Sequence, residues 1–338
     1  MLYDCLIIGA GPAGLSAAVQ LARFEHKLLV FEKRKVGGLL NNANRVENYL
    51  GFLDYSGPEL IREFKKNLKK TSIRMEAVEE IHQNKSGVFS VKTPKKTYTA
   101  QTILLATGTE PNRLQISHKK TWEGKKLFYD LVDFPFRAGK TVLILGGGDV
   151  GFDYALNLKR RGLHPVLWTH RKTTCLSILK KRAKIAQIPY FEERQLLKIQ
   201  ENGKKLTIHS SKSSICVDYV LVAIGRHAAP ASLRIQKPLK GLYSAGDVNH
   251  ETTRQVQIAA GEGIYEALKI HDYLIHHANR PGKRKGGGGE TLHRQTERLL
   301  HRIRRIQIPA PASRRKMGNR DLLSFGLSRA MSHVRRRK

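Results

Sequence analysis

The 338-residue chain carries 61 Lys plus Arg against 28 Asp plus Glu, a formal net charge of +33, with an ordinary apolar share of 40%. That length allows two domains with cores of their own. No apolar run approaches the ~18 residues of a membrane span, and Met1–Leu6 runs straight into a strand-like segment without the features of a secretory signal, so a cytoplasmic protein with no transmembrane segment is expected.

The first element is an apolar strand around Leu6, Ile7 and Ile8 that breaks into Gly9-Ala10-Gly11-Pro12-Ala13-Gly14. A helical pattern follows, with Leu15, Ala18, Val19 and Ala22 on one face, and then a strand, Leu28–Glu32. In this arrangement the first glycine makes the tight turn, the second lets backbone approach a pyrophosphate, and the third lets helix and strand pack closely. The helix N-terminus offers free N–H groups to the phosphates, and Glu32 would accept from a ribose hydroxyl pair. A lone glycine pattern is a weak signal; this one lies between strand and helix with an acid at the right distance.

Strand-like stretches Thr102–Ala106 and Tyr219–Ala223 each lead into a Gly turn, at Thr107-Gly108 and Ile224-Gly225. Between them, Val142–Leu145 is a second apolar strand, followed by Gly146-Gly147-Gly148-Asp149-Val150-Gly151, a helix Phe152–Arg160 and a strand Val166–Thr169. The two strand–glycine–helix units lie about 135 residues apart and read as a duplicated nucleotide-binding design. The second unit's strand ends on Thr169-His170-Arg171-Lys172 with no acid. Basic groups there pair with a 2′-phosphate that an acid would repel, which points to NADP(H) over NAD(H). A solvated basic turn is the bland reading of the same residues.

Leu242–Asp247 is a strand ending at Gly246-Asp247, and Arg254-Gln255-Val256 open a helix that runs to Leu274. Asp247 would take ribityl or pyrophosphate oxygens, and the helix N-terminus would face a flavin edge. The composition changes after about residue 277. Gly286–Gly289 reads as a linker, and segments 291–306 and 319–337 could form basic amphipathic helices. From Ala278 onward the net charge is +15; the rest of the chain keeps +18. A field of that sign attracts dinucleotides, acidic proteins, nucleic acid or anionic lipid, and the tail by itself is read as a disordered extension or a segment for an anionic partner.

Cys5, Cys175 and Cys216 include no Cys-x-x-Cys pair, which fits a reducing compartment and excludes a zinc site on cysteine pairs. GAGPAG, GGLLNNANRVENYLGF, ILLATGTEP, GGGDVG, WTHRK, LVAIGR and GLYSAGDVNHETTRQVQIAAGEG, in that order, resemble the low-molecular-weight thioredoxin-reductase-like flavoproteins over about Met1–His277. The resemblance implies an α/β fold of two Rossmann-like, doubly wound, three-layer nucleotide-binding domains, the second inserted in the first. It implies an FAD domain of residues 1–113 and 241–277, an NADP(H) domain of 114–240, and a homodimer. By the family's pattern Gly9, Gly11, Pro12, Ala13, Gly14, Glu32, Lys33, Gly38, Leu39, Asn48 and Val78 would lie near FAD, with Thr107, Gly108, Gly246, Asp247, Arg254, Gln255 and Val256. Gly146, Gly148, Asp149, Val150, Gly151, His170, Arg171, Lys172, Gly225 and Arg226 would hold NADPH. Val150 departs from the pattern, which often has Ser or Thr there, and no further Arg soon follows Lys172.

Thioredoxin reductases carry Cys-x-x-Cys-Asp before the second nucleotide strand; counted back from Gly146 without a gap, this chain has Tyr129-Asp130-Leu131-Val132-Asp133. The segment is similar to that of the thioredoxin-reductase-like ferredoxin–NADP reductases, which also lack the pair. The expectation is therefore an NADPH-dependent flavoprotein oxidoreductase passing electrons through FAD to an acidic one-electron carrier, ferredoxin or flavodoxin. Asp133 is a candidate proton shuttle or a plain loop acid. The alternatives are a disulfide reductase acting without Cys-x-x-Cys, using Cys175, and a nucleotide-binding regulatory or scaffold protein that works through its basic tail.

Overall fold

The computed structural model describes residues 1–68, 71–116, 119–229 and 239–277. The basic segments read above as possible helices, 291–306 and 319–337, lie outside the described residues. The first part of the chain forms β1 (Leu2–Ile8), α1 (Pro12–Arg23), β2 (Leu28–Phe31), a 3-10 turn (Gly38–Asn42), α2 (Gly57–Lys66), β3 (Ile73–Arg74), β4 (Glu80–Gln83), β5 (Phe89–Lys92), β6 (Thr97–Leu105) and β7 (Thr109–Pro111). There follow α3 (Lys119–Trp122), β8 (Leu127–Phe128), β9 (Thr141–Leu145), α4 (Asp149–Arg160), β10 (His164–Trp168), α5 (Ser177–Ile185) and β11 (Tyr190–Phe191). The chain continues through β12 (Leu196–Asn202), β13 (Lys205–Ser210), β14 (Ser214–Val217), β15 (Tyr219–Val222), β16 (Arg226–Ala228), β17 (Leu242–Ser244), a 3-10 turn (Asp247–Asn249) and α6 (Val256–His276).

Two sheets carry the architecture. The first runs β3-β2-β1-β6-β5-β4, with β17 also pairing the end of β6. Its strands β3, β2, β1, β6 and β17 are mutually parallel, and the β4–β5 hairpin is antiparallel. The second sheet, β11-β10-β9-β15-β8, is parallel throughout. Its strands all lie between residues 127 and 222, and the first sheet regains the chain only at β17. A short antiparallel ribbon, β16 with β7, joins the end of one excursion to the start of the other.

Both sheets bury both of their faces. α1 and α6 pack on one face of the first sheet through Leu15, Ala18, Leu21, Ala267 and Ile270 against Ile7 and Val30. Its other face packs Leu6, Ile8 and Phe31 against Phe89 and Val91 of the hairpin. In the second sheet α4 and α5 cover Val142 and Ile144, while the β12–β13–β14 meander covers Leu143 and Leu145 with Leu206, Ile208 and Val217. The parallel strands are buried on both faces and therefore read as continuous apolar runs. The predicted α1 face is shifted: Ala17 and Leu21 are buried beside Leu15 and Ala18, whereas Val19 is half-buried.

α6 lies close enough to α1 that a Cβ on Gly263 would come 2.1 Å from Ala13 O, whereas Gly261, two residues earlier, has nothing within 4 Å. Alanine improves helix propensity by about 1 kcal/mol over glycine at either position. At Gly263 the backbone clash overrides that gain. Gly263→Ala is expected to lose about 1–3 kcal/mol in urea unfolding, while Gly261→Ala gains up to about 1 kcal/mol. Equal effects at the two positions would contradict this packing.

Candidate functional site

The two glycine corners are built alike. Gly9 takes φ +108°, and a Cβ there would come 2.2 Å from Ala106 O, the carbonyl that ends the neighbouring β6 run. Gly146 takes φ +146°, and its Cβ would come 2.2 Å from Ala223 O, after β15. A Cβ on Gly14 would strike Gly9 O at 2.0 Å, and one on Gly151 would strike Gly146 O at 2.5 Å. The middle glycines differ. Gly11 has nothing within 4 Å and Gly148 only Thr174 Oγ1 at 3.9 Å, so each faces open space. The first and last glycines of each corner are thus demanded by backbone packing, Gly147 is crowded by Thr169 at 2.8 Å, and Gly11 and Gly148 leave room for a group from outside the protein.

The helices after these corners start without help from side chains. α1, with Gly11 as N-cap and Pro12 and Ala13 in its first turn, has no side-chain cap; nor has α4, with N-cap Gly148 and Asp149, Val150 and Gly151 following. α2, away from the corners, has a full capping box between Ser56 and Glu59. The first-turn N–H groups of α1 and α4 are therefore left for an anion. Asp149 is engaged elsewhere: its Oδ1 accepts from Leu176 N at 2.8 Å.

Glu32 is buried beside the first corner. Its Oε2 accepts from Ala10 N at 3.0 Å and its Oε1 from Arg34 N at 2.8 Å, which fixes the carboxylate while leaving lone pairs for a diol. Gly37 N donates to Ala10 O, and Gly38, at φ +53°, brings its absent Cβ to 3.3 Å from Gly11 Cα. The Gly38–Asn42 turn thus closes over the corner, with Leu39 half-buried. Asn48 Nδ2 donates to Gln255 Oε1 at 2.9 Å at the start of α6, where Val256 packs against the cluster of Leu40 and Leu60. Val78 packs against the hairpin face, and Lys33 pairs with Glu110 at 3.0 Å on the surface.

Two groups near this corner lack partners among the described residues. Thr107 Oγ1 is buried without a hydrogen bond, beside Gly108 at φ +65°. The Asp247 carboxylate has no hydrogen bond or ion pair among the described residues, and burial pushes its pKa up even though Arg254 and His250 pull it down. Arg254 is committed to carbonyls, donating to His250 O and to Arg226 O, each at 2.9 Å. A dinucleotide bearing ribityl hydroxyls fits these two vacant acceptors and the open Gly11; the residues present suit FAD.

At the second corner, His170, Arg171 and Lys172 are exposed and make no ion pair among the described residues. Thr173 N and Oγ1 donate to Glu192 at 2.8 and 2.6 Å, and Thr174 N donates to Gly147 O at 3.0 Å, so the basic loop folds back over the glycines. Gly225, at φ +101°, accepts from Asn112 N. Arg226, read above for NADPH, donates from its guanidinium to Thr109 Oγ1 and O at 2.9 Å.

Between the two halves lies a polar seam that the sequence does not announce. Arg34 makes a two-pronged bond to buried Asp130 at 2.8 and 2.9 Å and a further ion pair with Asp133. The two carboxylates, Asp130 first, hold the guanidinium well above its usual pKa. Asp133, read above as a proton shuttle or loop acid, is thus tied in an ion pair. Asn42 Oδ1 accepts from Leu131 N, Asn157 Nδ2 donates to Asn42 O, Asp153 Oδ2 accepts from Asn44 N, and Arg182 forks onto Glu47. Arg34 lies in an unremarkable basic run, Lys33-Arg34-Lys35, and only the tertiary fold gives it acids to bind.

No sulfur stands at this seam. Cys5 is fully buried in β1, and burial pushes its thiol up to about 12. Cys175 lies half-buried in the loop over the second corner, its thiol also raised by burial, and Cys216 is exposed on β14.

The family described as pyridine nucleotide-disulphide oxidoreductase matches residues 3–263. The chain is 28% identical over 302 residues to the thioredoxin reductase of Bacillus subtilis (strain 168), a match covering 81% of this chain and 95% of that protein. It is 30% identical over 302 residues to the thioredoxin reductase of Listeria innocua, covering 81% and 94%. The crystal structure of T. acidophilum thioredoxin reductase superposes with a TM-score of 0.73 at 27% identity, over 81% of this chain and 99% of that one.

The seam makes one titration measurable. Burial pushes the Asp153 carboxyl from its ordinary 3.8 up to about 6, against the lowering effect of the N–H it accepts from Asn44. Folding therefore takes up a proton here, so this group's contribution to stability is full below about pH 4 and is lost as pH rises through about 6. Asp153→Asn keeps an acceptor and cannot ionise. Its loss of stability between pH 4 and 7 is expected to be smaller than wild type's by on the order of 2–3 kcal/mol. Urea unfolding at stepped pH checks this, and parallel profiles for the two proteins would refute it.

Proposed function

The chain belongs to the pyridine nucleotide-disulphide oxidoreductase family, and we propose that it is a thioredoxin-reductase-like enzyme that reduces a disulfide-bearing acceptor without an internal thiol pair. It is an NAD(P)H-dependent flavoprotein oxidoreductase with FAD and NADP(H) as cofactors. No helix among the described residues is long and apolar enough to cross a membrane. The observation that carries the reading is the pair of matched glycine corners flanking a seam in which Tyr129–Asp133 supplies no sulfur.

The roles follow from the residues. Residues 1–113 and 241–277 would hold FAD, with Gly11 and the α1 N-terminus at the pyrophosphate, Glu32 at the ribose, and Thr107 and Asp247 accepting or donating at the ribityl chain. Residues 114–240 would hold NADP(H), with the α4 N-terminus at the pyrophosphate and Arg171 and Lys172 at the 2′-phosphate. The chemistry FAD supplies when bound is two-electron acceptance from a nicotinamide and onward release to an acceptor. The protein's part is to orient both dinucleotides and keep Asp130 and Asp133 neutralised by Arg34 beside the cleft. A homodimer in the cytoplasm is the assembly and location that accord with the family.

Burial disfavours the thiolate at Cys175, and a thiolate is what attacks a disulfide. The acceptor disulfide is therefore read as meeting the flavin directly, with no protein thiol between them. The relatives reported above are named for thioredoxin, which favours a disulfide acceptor over ferredoxin or flavodoxin. The carrier reading keeps one observation in its favour: the basic charge of the body, +18 before residue 278, speeds encounter with an acidic electron carrier.

Anaerobic NADPH is expected to bleach the flavin of the purified protein, and a low-molecular-weight disulfide is expected to restore the colour, in wild type and in Cys175→Ser alike. Restoration by acidic ferredoxin alone would move the function to the carrier reading; flavin left oxidised by NADPH would end both. Arg171→Glu with Lys172→Glu is expected to weaken NADPH by tenfold or more while leaving NADH within about threefold, as the loss of a 2′-phosphate contact requires. Equal loss for both nucleotides in steady-state kinetics would remove that role.

A further inference from the structure

The turn that carries Asp247 is anchored by a single side chain of α6. Ala245 N donates to Leu105 O, the last bond of β17 to the sheet, so Gly246 N is the first donor beyond the ladder. Gly246 is buried at φ +84°, and its N–H is met by Glu262 Oε2 at 2.7 Å. Glu262 Oε1 pairs with His250 Nε2 at the far end of the same turn. The turn is closed within itself by Asn249 N donating to Gly246 O and by Ser244 Oγ donating to Asn249 Oδ1. One carboxylate thus grips the 246–250 turn at both ends, and the Asp247 carboxylate, between them, has no hydrogen-bond or ion-pair partner among the described residues.

The depth of that carboxylate is fixed by the next residue. A Cβ on Gly263 would meet Ala13 O at 2.1 Å, and a Cβ on Gly246 would meet Ala13 Cβ at 2.8 Å. α6, the Asp247 turn and the first glycine corner therefore converge on Ala13, one residue before the third glycine of GAGPAG. A buried N–H that loses its acceptor forces the chain to move toward water. At Gly246 that movement would carry Asp247 away from the corner.

We propose that Glu262 is a positioning residue for FAD: by holding Gly246 N–H and His250 together it sets the distance between the Asp247 carboxylate and the pyrophosphate corner. This rests on the reading of the first corner as the FAD site. Glu262 touches no cofactor in this account; it acts through Asp247.

The test is reconstitution of the full-length apoprotein with FAD, the dissociation constant read from quenching of flavin fluorescence, with circular dichroism and NADPH binding at the second corner as controls for folding. Glu262→Ala is expected to raise the constant at least tenfold. Glu262→Gln, whose amide oxygen still accepts from Gly246 N–H, is expected to stay within threefold of wild type. Glu262→Asp keeps the charge, withdraws the acceptor, and is expected to lose at least fivefold, so the proposal stays testable if the alanine variant fails to fold. Because Glu262 acts through Asp247, Glu262→Ala on top of Asp247→Ala is expected to add less than twofold. Unchanged binding in the alanine and aspartate variants, or losses that multiply in the double variant, would overturn the proposal. Wild-type apoprotein that binds no FAD would instead overturn the reading of the corner itself.

Discussion

Backbone approaching backbone more closely than any Cβ allows is the constraint on which the structure depends. It recurs at Gly9 against Ala106, at Gly146 against Ala223, and at Gly263 against Ala13. The first two bring the ends of neighbouring parallel strands together just before α1 and α4 begin, and the third seats α6 directly on α1. In a parallel sheet the C-terminal edge of the strands is where ligands bind, because the loops diverge there and the free N–H groups point outward. The missing caps on α1 and α4 belong to the same arrangement. A side-chain cap would occupy donors that an anion could take; α5 and α6 also lack one, and α2 alone among these helices has a capping box.

The seam between the halves obeys a different logic. It is mostly polar, made of side chain to backbone bonds and of the Arg34 fork on Asp130. Removing a buried carboxylate from water costs less when a cation or hydrogen-bond donors meet it, and Asp130 and Arg34 hold each other. The segment concerned, Tyr129–Asp133, is the one in which the resembling thioredoxin reductases carry thiols. Here its acids tie the second half to the strand end that also carries Glu32, and Asp133, read above as a proton shuttle or a loop acid, takes part in that attachment.

Both sheets are covered by helices on one face; the separate β12–β14 meander covers the other face of the second, whereas the β4–β5 hairpin extends the first sheet itself. The parallel strands and their helices were legible because burial on two faces writes a continuous apolar run, and glycine spacing marks the corner. The β4–β5 hairpin and the β12–β14 meander were not. Their residues alternate between core and water, as in β13 where Leu206 and Ile208 point inward between Lys205, Thr207 and His209, and they carry many lysines. The basic excess of the chain masks such short alternations.

The sequence by itself determined which backbone shapes are compulsory: the two glycine corners, the acid at the end of β2, the basic end of β10 and the absence of a cysteine pair. These are local, because a positive φ or a strand followed by glycine is specified by neighbours in the chain. Only the tertiary structure decided which side chains meet across it: Arg34 with Asp130 across 96 positions, Glu262 with Gly246 across 16, and Arg226 with Thr109 across 117. Hydrogen bonds between charged groups depend on distance and direction after packing, and a charged residue in a chain of +33 looks the same before folding whether it will bind an acid or only water.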